Sequence, residues 1–301
     1  MSAPRDVVRA AWNAGTVVPA FNVPHLPMLE PIARAVADQD SFALIETARI
    51  EWQTFECYGP AAVDEAFARF GDPEHVQLHL DHVPVIDEEG DRVDYLPIIN
   101  RALAMGYRSV MIDGSLLPLD GNIAATRQVA DLAHAAGVAC EAELGAIARE
   151  GAGPLPPYDE LFASGAGFTQ VDQAARFVAE TGCDWLSVAV GNIHGAVSKA
   201  FKDRAKTQAR LNLGHLAALR TATSVPLVLH GGSGVRRQDV LAAIEGGIAK
   251  INIATEVRQA FVHGLASTGT LDGAKDSVYE RTTWLIREYY GIAGSRRAIF
   301  G

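Results

Sequence analysis

Eight runs of β-forming residues recur along the chain, and segments of helical periodicity separate them. The runs lie at 17–23, 42–47, 76–82, 109–114, 139–145, 184–191, 226–232 and 248–254. The main amphipathic segments lie at 27–39, 93–105, 119–136, 171–181, 209–222 and 236–246. Strands that alternate with helices predict a parallel sheet, and eight such units predict a closed (β/α)8 barrel, the TIM barrel of the α/β class.

An open doubly wound sheet is the second choice. That fold usually has fewer strands and a glycine fingerprint after the first one, whereas this first strand ends in FNVPH. We find no linker, so residues 1–301 are predicted to form a single catalytic domain with 267–301 as a peripheral helical tail, helical at about 276–290. The segments 146–169 and 195–208 are predicted to be long loops.

Charge and composition exclude several classes of partner. The chain has 26 basic and 36 acidic residues, a net charge of −10, and no block of Lys and Arg. This argues against nucleic acid or an anionic membrane as a partner. No apolar run reaches the length of about 18 residues that spans a membrane, and the first residues lack the pattern of a secretory signal. The three cysteines, Cys57, Cys140 and Cys183, fit no metal or redox motif. We therefore expect reduced thiols and a cytoplasmic location.

Three histidines follow predicted strands. His82, His194 and His230 lie at the ends of strands three, six and seven. Catalytic residues of this fold lie at the carboxyl ends of several strands, and three imidazoles with an open fourth position are typical of catalytic zinc. The alternative is that each histidine separately caps its strand. The common position favours a metal site.

Carboxylates accompany these histidines. Asp81 directly precedes His82, so it could carry a proton beside the metal or orient the histidine. Glu143, on strand five, is a candidate metal ligand or orienting carboxylate. For Glu141, on the same strand, and for His79 we favour a structural role.

Two polar turns near the end of the chain resemble an anion-binding cradle. HGGSG follows strand seven and NIAT follows strand eight, where this fold usually binds phosphate. Glycines allow backbone N–H groups to approach an anion, and a following helix adds its positive end. An ordinary turn is the alternative. The candidate phosphate-binding residues are Gly231, Gly232, Ser233, Asn252 and Thr255.

Seven stretches in order resemble the class II, metal-dependent fructose-bisphosphate and tagatose-bisphosphate aldolases. They are AFN (20–22), LHLDH (78–82), GYRSVMIDGS (106–115), EAELG (141–145), VAVGNIHG (188–195), PLVLHGGSGV (226–235) and KINIATE (250–256). Each is short, but together they cover nearly the whole predicted barrel.

The resemblance implies a role for several residues. His82, His194 and His230 match zinc ligands, Glu143 an alternative metal ligand, and Asp81 the acid/base at the C4 hydroxyl. The pocket for the phosphate of dihydroxyacetone phosphate matches Gly195, Gly231, Ser233, Asn252 and Thr255, and Lys199 matches some tagatose-type members. The resemblance also implies a monovalent cation (Na+ or K+) near the phosphate, and a homodimer or homotetramer.

A further base is implied on the loop after strand five. In the family a glutamate there removes a proton from the carbon next to the ketone, and Glu150 is the candidate here. The usual GG(V/E)ED context is replaced by AIAREGAG. A solvated loop charge is the alternative.

The aldehyde side departs from the family. The serine usual at the end of strand two is missing, because the chain reads ETAR at 46–49, and VPVIDEEGDRVD is inserted after strand three. We expect dihydroxyacetone phosphate as one product and an aldehyde other than glyceraldehyde 3-phosphate as the second. Asn22 and Arg49 are the candidates on this side. Arg49 could pair a carboxylate or a phosphate, or form a surface salt bridge.

Two other functions are alternatives to an aldolase. A zinc hydrolase on the same barrel would not need the phosphate cradle, and such hydrolases commonly carry an HxH pair that FNVPH lacks. A non-catalytic subunit of an aldolase complex would not need Asp81 and all three histidines.

Overall fold

Eight parallel strands form a closed barrel in the order of the sequence. The computed structural model describes residues 6–145, 157–192, 209–232 and 234–301. The strands are Val18–Asn22 (β1), Ala43–Ala48 (β2), Val76–Pro84 (β3), Ser109–Asp113 (β4), Ala139–Leu144 (β5), Trp185–Val188 (β6), Leu227–Leu229 (β7) and Ile248–Ile253 (β8). Pairing of β8 with β1 closes the ring, which confirms the predicted barrel.

Helices cover the outside of the barrel. In the described residues they are Val7–Asn13 (α1), Leu29–Asp38 (α2), Arg49–Thr54 (α3), Pro60–Phe70 (α4), Tyr95–Met105 (α5), Leu119–Ala135 (α6), Tyr158–Ser164 (α7), Val171–Thr181 (α8), Leu213–Thr223 (α9), Arg237–Glu245 (α10), Thr255–Thr268 (α11), Leu271–Trp284 (α12) and Ser295–Phe300 (α13). Each of the six predicted segments contains a helix. The prediction missed α1, α3, α4, α11 and α13, and α7 lies inside the segment predicted as a loop. A six- or seven-residue helix such as α3 or α7 spans too few turns to show a clear period.

The apolar core has two layers. The larger layer lies between the strands and the surrounding helices. The smaller layer fills the amino-terminal end of the barrel, where Leu44, Trp185 and Val228 pack with α1. Asp6 caps α1 and also accepts a hydrogen bond from the Trp185 indole, at 2.8 Å. Apolar packing thus closes one end of the barrel, and polar side chains collect at the other.

The carboxyl-terminal segment is more than a peripheral tail. Helix α12 begins at Leu271, five residues before the predicted start, because Thr270 caps it with a 3.1 Å bond from the N–H of Gly273. A π-helical turn, Leu285–Tyr289, follows. Phe300 then packs against Phe42 with ring centroids 5.0 Å apart. The segment therefore contributes to both core layers.

All three cysteines are buried and none forms a disulfide, as expected for reduced thiols. Burial raises the pKa of each thiol above its ordinary value, which keeps it protonated. Of the helices described above, none combines the length and the apolar character needed to cross a membrane.

Candidate metal and proton-transfer site

The end of β3 brings two consecutive side chains to the mouth of the barrel. The register between β3 and β4 shifts between Leu80 and Val83. Within this bulge His82 adopts a left-handed backbone conformation, with φ of +29°. Neighbouring residues of a regular strand point to opposite faces, but a bulge redirects one of them. Both Asp81 and His82 can therefore serve the same site.

Two of the three predicted histidine ligands lie together. The ring centroids of His82 and His230 are 4.6 Å apart. Glu143 of β5 joins them, with Oε2 lying 3.2 Å from Nδ1 of His230. Donor atoms of Asp81, His82 and His230 lie within 4.8 Å of one another, and so do those of His82, Asp113 and Glu143. His194 lies outside the described residues.

A carboxylate fixes each of these histidine rings. Nε2 of His230 lies 2.8 Å from Oε1 of Glu141, and Nδ1 of His82 lies 3.2 Å from Oδ2 of Asp113. Burial lowers the pKa of both rings, but the neighbouring carboxylates raise it above the ordinary value, so both rings hold a positive charge when no metal is bound. A metal would bind each ring at the nitrogen that faces away from its fixing carboxylate, after that nitrogen has given up its proton. Carboxylate-bound histidines of this kind are typical metal ligands. The residues present therefore fit a zinc ion.

Asp81 is a buried carboxylate held by two amides. Its side chain accepts hydrogen bonds from Nδ2 of Asn22 and Nδ2 of Asn252, each at 3.0 Å. Burial alone would raise the pKa of Asp81, but the charges of His82 and Lys250 hold it below the ordinary value. Asp81 is thus ionised and oriented.

A fully buried lysine lies beneath these groups. The ammonium of Lys250 is 2.9 Å from Glu141 and 3.2 Å from Glu46, and it donates to Oδ1 of Asn252. Because lysine can only donate, it turns the amide of Asn252 so that Nδ2 faces Asp81. Burial opposes the charge of Lys250, but the two carboxylates raise its pKa above the ordinary value. One cation therefore touches the partners of both His230 and Asp81.

Glu46 of β2 completes this buried group. The side chain is fully buried, and apart from the ion pair with Lys250 neither oxygen accepts a hydrogen bond from a described residue. Burial, followed by the charge of Asp81, raises its pKa well above the ordinary value. His79 beside it is also fully buried, and its Nδ1 lies 2.8 Å from the Ser109 hydroxyl. The structural role expected for His79 stays a prediction, because donor atoms of Glu46, His79 and Asp81 also lie within 4.8 Å of one another.

The β1–β2 side of the mouth holds both aldehyde-side candidates. Asn22 bridges Asp81 and Glu51, to which its amide donates at 3.4 Å. Arg49 pairs with Asp87 of the segment inserted after β3, at 3.2 Å. Arg49 thus belongs to an ion pair, as the alternative interpretation held, although both partners are largely buried.

The phosphate candidates divide into two groups. Gly231 has a φ of +65°, and a Cβ on Gly232 would lie 2.7 Å from Ile251, so the turn after β7 requires both glycines. Thr255 is the first residue of α11, where backbone N–H groups are exposed. The side-chain amide of Asn252, in contrast, donates to Asp81 and accepts from Lys250. Ser233, Gly195, Lys199 and Glu150 lie outside the described residues.

Sequence patterns assigned no role to three residues of this site, Asp113, Lys250 and Glu51. A lysine within the apolar run IAKINIA was a usable signal, because a charge inside a strand buried on both faces needs a partner. Asn192, within the stretch VAVGNIHG, also had no predicted role. Its amide donates to the carbonyl of His230 at 3.0 Å and so holds the backbone of that residue.

Comparisons with known proteins agree over nearly the whole chain. The family model for fructose-bisphosphate aldolase class II matches residues 3–293. Uncharacterized protein YdjI of Escherichia coli K12 is 36% identical over 253 residues, 83% of this chain and 81% of that protein. The crystal structure of the YdjI aldolase has a TM-score of 0.74, at 29% identity over 97% of this chain and all of that one. A putative fructose-1,6-biphosphate aldolase from Coccidioides immitis has a TM-score of 0.75, at 25% identity over 97% and 96% of the two chains.

Proposed function

Because the chain belongs to the class II fructose-bisphosphate aldolase family, we propose that it is a zinc-dependent lyase that reversibly cleaves a ketose phosphate to dihydroxyacetone phosphate and an aldehyde. One observation carries the proposal. Two histidines, each fixed by a carboxylate, converge with Glu143 directly beside the buried, ionised Asp81.

His82 and His230 are the proposed zinc ligands, together with His194 and, in an alternative metal position, Glu143. A zinc ion bound there supplies a Lewis acid that draws electron density from a carbonyl oxygen. Glu141 and Asp113 orient the two described rings, so the ligand geometry is set before a metal binds.

Asp81 is the proposed acid/base. In the cleavage direction the carboxylate accepts the proton of the C4 hydroxyl, the C3–C4 bond breaks, and C4 becomes the aldehyde carbon. The electron pair of the broken bond goes to the ketone half, which leaves as an enediolate and is then protonated at C3. In the synthetic direction it returns that proton to the new hydroxyl. The amides of Asn22 and Asn252 bind both oxygens of Asp81, which fixes the carboxylate for this transfer.

The phosphate of the ketone half is proposed to bind after β7 and β8. The requirement for glycine at Gly231 and Gly232 and the helix start at Thr255 support this placement. Gly195, Lys199, Ser233 and Asn252 are further proposed contacts, and Na+ or K+ is proposed nearby. For Asn252 the contacts described above favour a role at Asp81.

Glu150 is proposed as the base that moves the proton on the carbon next to the ketone. We also propose that the enzyme works in the cytoplasm as a homodimer or homotetramer. No partner other than a phosphorylated sugar is proposed.

Metal analysis combined with a condensation assay tests the function. The purified protein, loaded with zinc, is incubated with dihydroxyacetone phosphate and a panel of phosphorylated, neutral and acidic aldehydes. We expect one zinc per chain and a chelator-sensitive condensation product. A protein that binds no divalent metal, or that condenses none of the aldehydes, contradicts the proposal. Hydrolysis of phosphate or amide substrates without condensation would favour the hydrolase instead.

A further inference from the structure

The segment after β2 places a buried carboxyl group next to the proposed proton-transfer site. Glu51, in the first turn of α3, is only 5% exposed. Its Oε2 accepts the backbone N–H of Ala48 at 2.9 Å and Nδ2 of Asn22 at 3.4 Å. The same Asn22 amide donates to Asp81 at 3.0 Å. One amide group therefore separates Glu51 from the carboxylate that handles the aldehyde oxygen.

These two N–H groups are donors of the kind that bind anions. Phosphate groups are bound by backbone N–H groups, side-chain amides and cations. Here both donors are directed at the carboxyl group of Glu51, so neither is available to a substrate phosphate.

No described cation forms an ion pair with Glu51, and the charge of His82 acts on it only from a distance. The side chain forms no salt bridge with any residue of the described ranges, and the nearby Arg49 is paired with Asp87. Burial raises the pKa of Glu51 to about 8, against the lowering effect of the Ala48 N–H. A dianionic phosphate placed here would add charge to a region that already disfavours it.

A hydroxyl group suits the same position. A hydroxyl both donates and accepts, so it can pair with a carboxyl group in either protonation state. On the premise of the proposed aldolase function, we propose that Glu51 selects aldehydes that carry a free hydroxyl group, not a phosphate, two carbons away from the reacting carbonyl.

A matched pair of aldehydes tests this assignment. The zinc-loaded enzyme is assayed with dihydroxyacetone phosphate and either glyceraldehyde or glyceraldehyde 3-phosphate, and kcat/KM is measured for each. We expect the wild type to prefer glyceraldehyde. Glu51→Ala frees both donors and removes the carboxyl group, so kcat/KM for the phosphorylated aldehyde relative to glyceraldehyde should rise by about tenfold or more.

Two further variants distinguish a role of Glu51 in aldehyde selection from a role in capping α3. Glu51→Gln keeps an oxygen that can accept both hydrogen bonds, so it should fold even if Glu51→Ala does not. Its ratio of kcat/KM for the phosphorylated aldehyde to kcat/KM for glyceraldehyde should rise less than that of Glu51→Ala. Glu56→Gln removes an exposed carboxylate from the same segment and should leave the ratio unchanged.

The outcomes distinguish this inference from the proposed function. If the wild type condenses neither these nor other aldehydes, the proposed function and the inference both fall. If the wild type condenses aldehydes but prefers glyceraldehyde 3-phosphate, or if the Glu51 variants lower kcat/KM for both aldehydes equally, the inference alone is wrong.

Discussion

The two sides of the barrel mouth handle charge in different ways. On the β3, β5, β7 and β8 side, carboxylates fix two histidines, and the buried ammonium of Lys250 joins Glu141, the partner of His230, to Asn252, the partner of Asp81. The β1–β2 side has fewer charged groups, and each is paired locally. Glu51 accepts hydrogen bonds from two N–H groups, and Arg49 forms an ion pair with Asp87. The first arrangement suits a fixed reaction and the second a choice among aldehydes. Changes on the first side should therefore affect every aldehyde alike, and changes on the second should alter the ranking of aldehydes.

The largest expected effect is at Asp81. Asp81→Asn keeps the shape of the side chain but cannot take up a proton at neutral pH, so turnover should fall by about 10²–10⁴-fold with every aldehyde. Zinc content, measured by elemental analysis, should stay at the wild-type level. His82→Ala, in contrast, should lose zinc. Equal loss of metal from both variants would contradict the separation of roles.

Removal of the buried cation should destabilise the fold. Lys250→Met removes the ammonium that pairs with both Glu141 and Glu46, so the free energy of unfolding should fall by about 3–5 kcal/mol, measured by urea denaturation. Adding Glu46→Gln to this variant should recover part of the loss. Lys275→Met, which removes a partly exposed ion pair with Glu30, is the matched control and should cost about 1 kcal/mol or less. A Lys250→Met variant as stable as this control would argue against the network.

Glu51 should make stability depend on pH. Its pKa is about 8 in the folded chain against an ordinary value of 4.5. Between these values the folded protein keeps a proton that the unfolded chain releases, so stability falls as pH rises and levels off above about 8. Glu51→Gln removes this contribution to the pH dependence of stability. The variant should therefore gain stability relative to the wild type across that window, by at most about 1.4 kcal/mol per pH unit.

Parallel curves for the wild type and Glu51→Gln, measured on zinc-loaded protein by denaturation at several pH values, would show that Glu51 is not held protonated. Glu56→Gln is the control, and its difference from the wild type should not follow that window.

The smallest effect is expected at the rim. Asp87→Asn releases Arg49 from its ion pair, so KM for an aldehyde that carries a carboxylate should fall a few-fold while kcat stays unchanged. Stability should change by about 1 kcal/mol or less. Asp120→Asn, which breaks an exposed arginine pair outside the mouth, should change neither KM nor kcat. If KM for neutral and acidic aldehydes shifts equally in Asp87→Asn, Arg49 does not bind the carboxylate of the acidic aldehyde.

The sequence predicted the barrel and the residues at its strand ends because both follow from local patterns. Apolar runs marked the strands, and the fold rule placed Asp81, His82 and His230 at one mouth. The roles of Lys250 and Glu51 could not be predicted, because these roles depend on contacts across the barrel. Lys250 reaches β2 and β5 from β8, and Glu51 reaches β1 from α3. No spacing along the chain encodes these contacts, and α3 is too short to show a period.

The position of Lys250 has a consequence for how such an enzyme can diverge. Substitutions in α3 or in the segment after β3 can change the accepted aldehyde one residue at a time. Lys250 offers no such route, since any replacement disturbs the partners of His230 and Asp81 at once. The sequences of related enzymes should therefore vary readily at the rim of the mouth but hardly at all at Lys250. Relatives that accept new substrates should then still catalyse the same reaction.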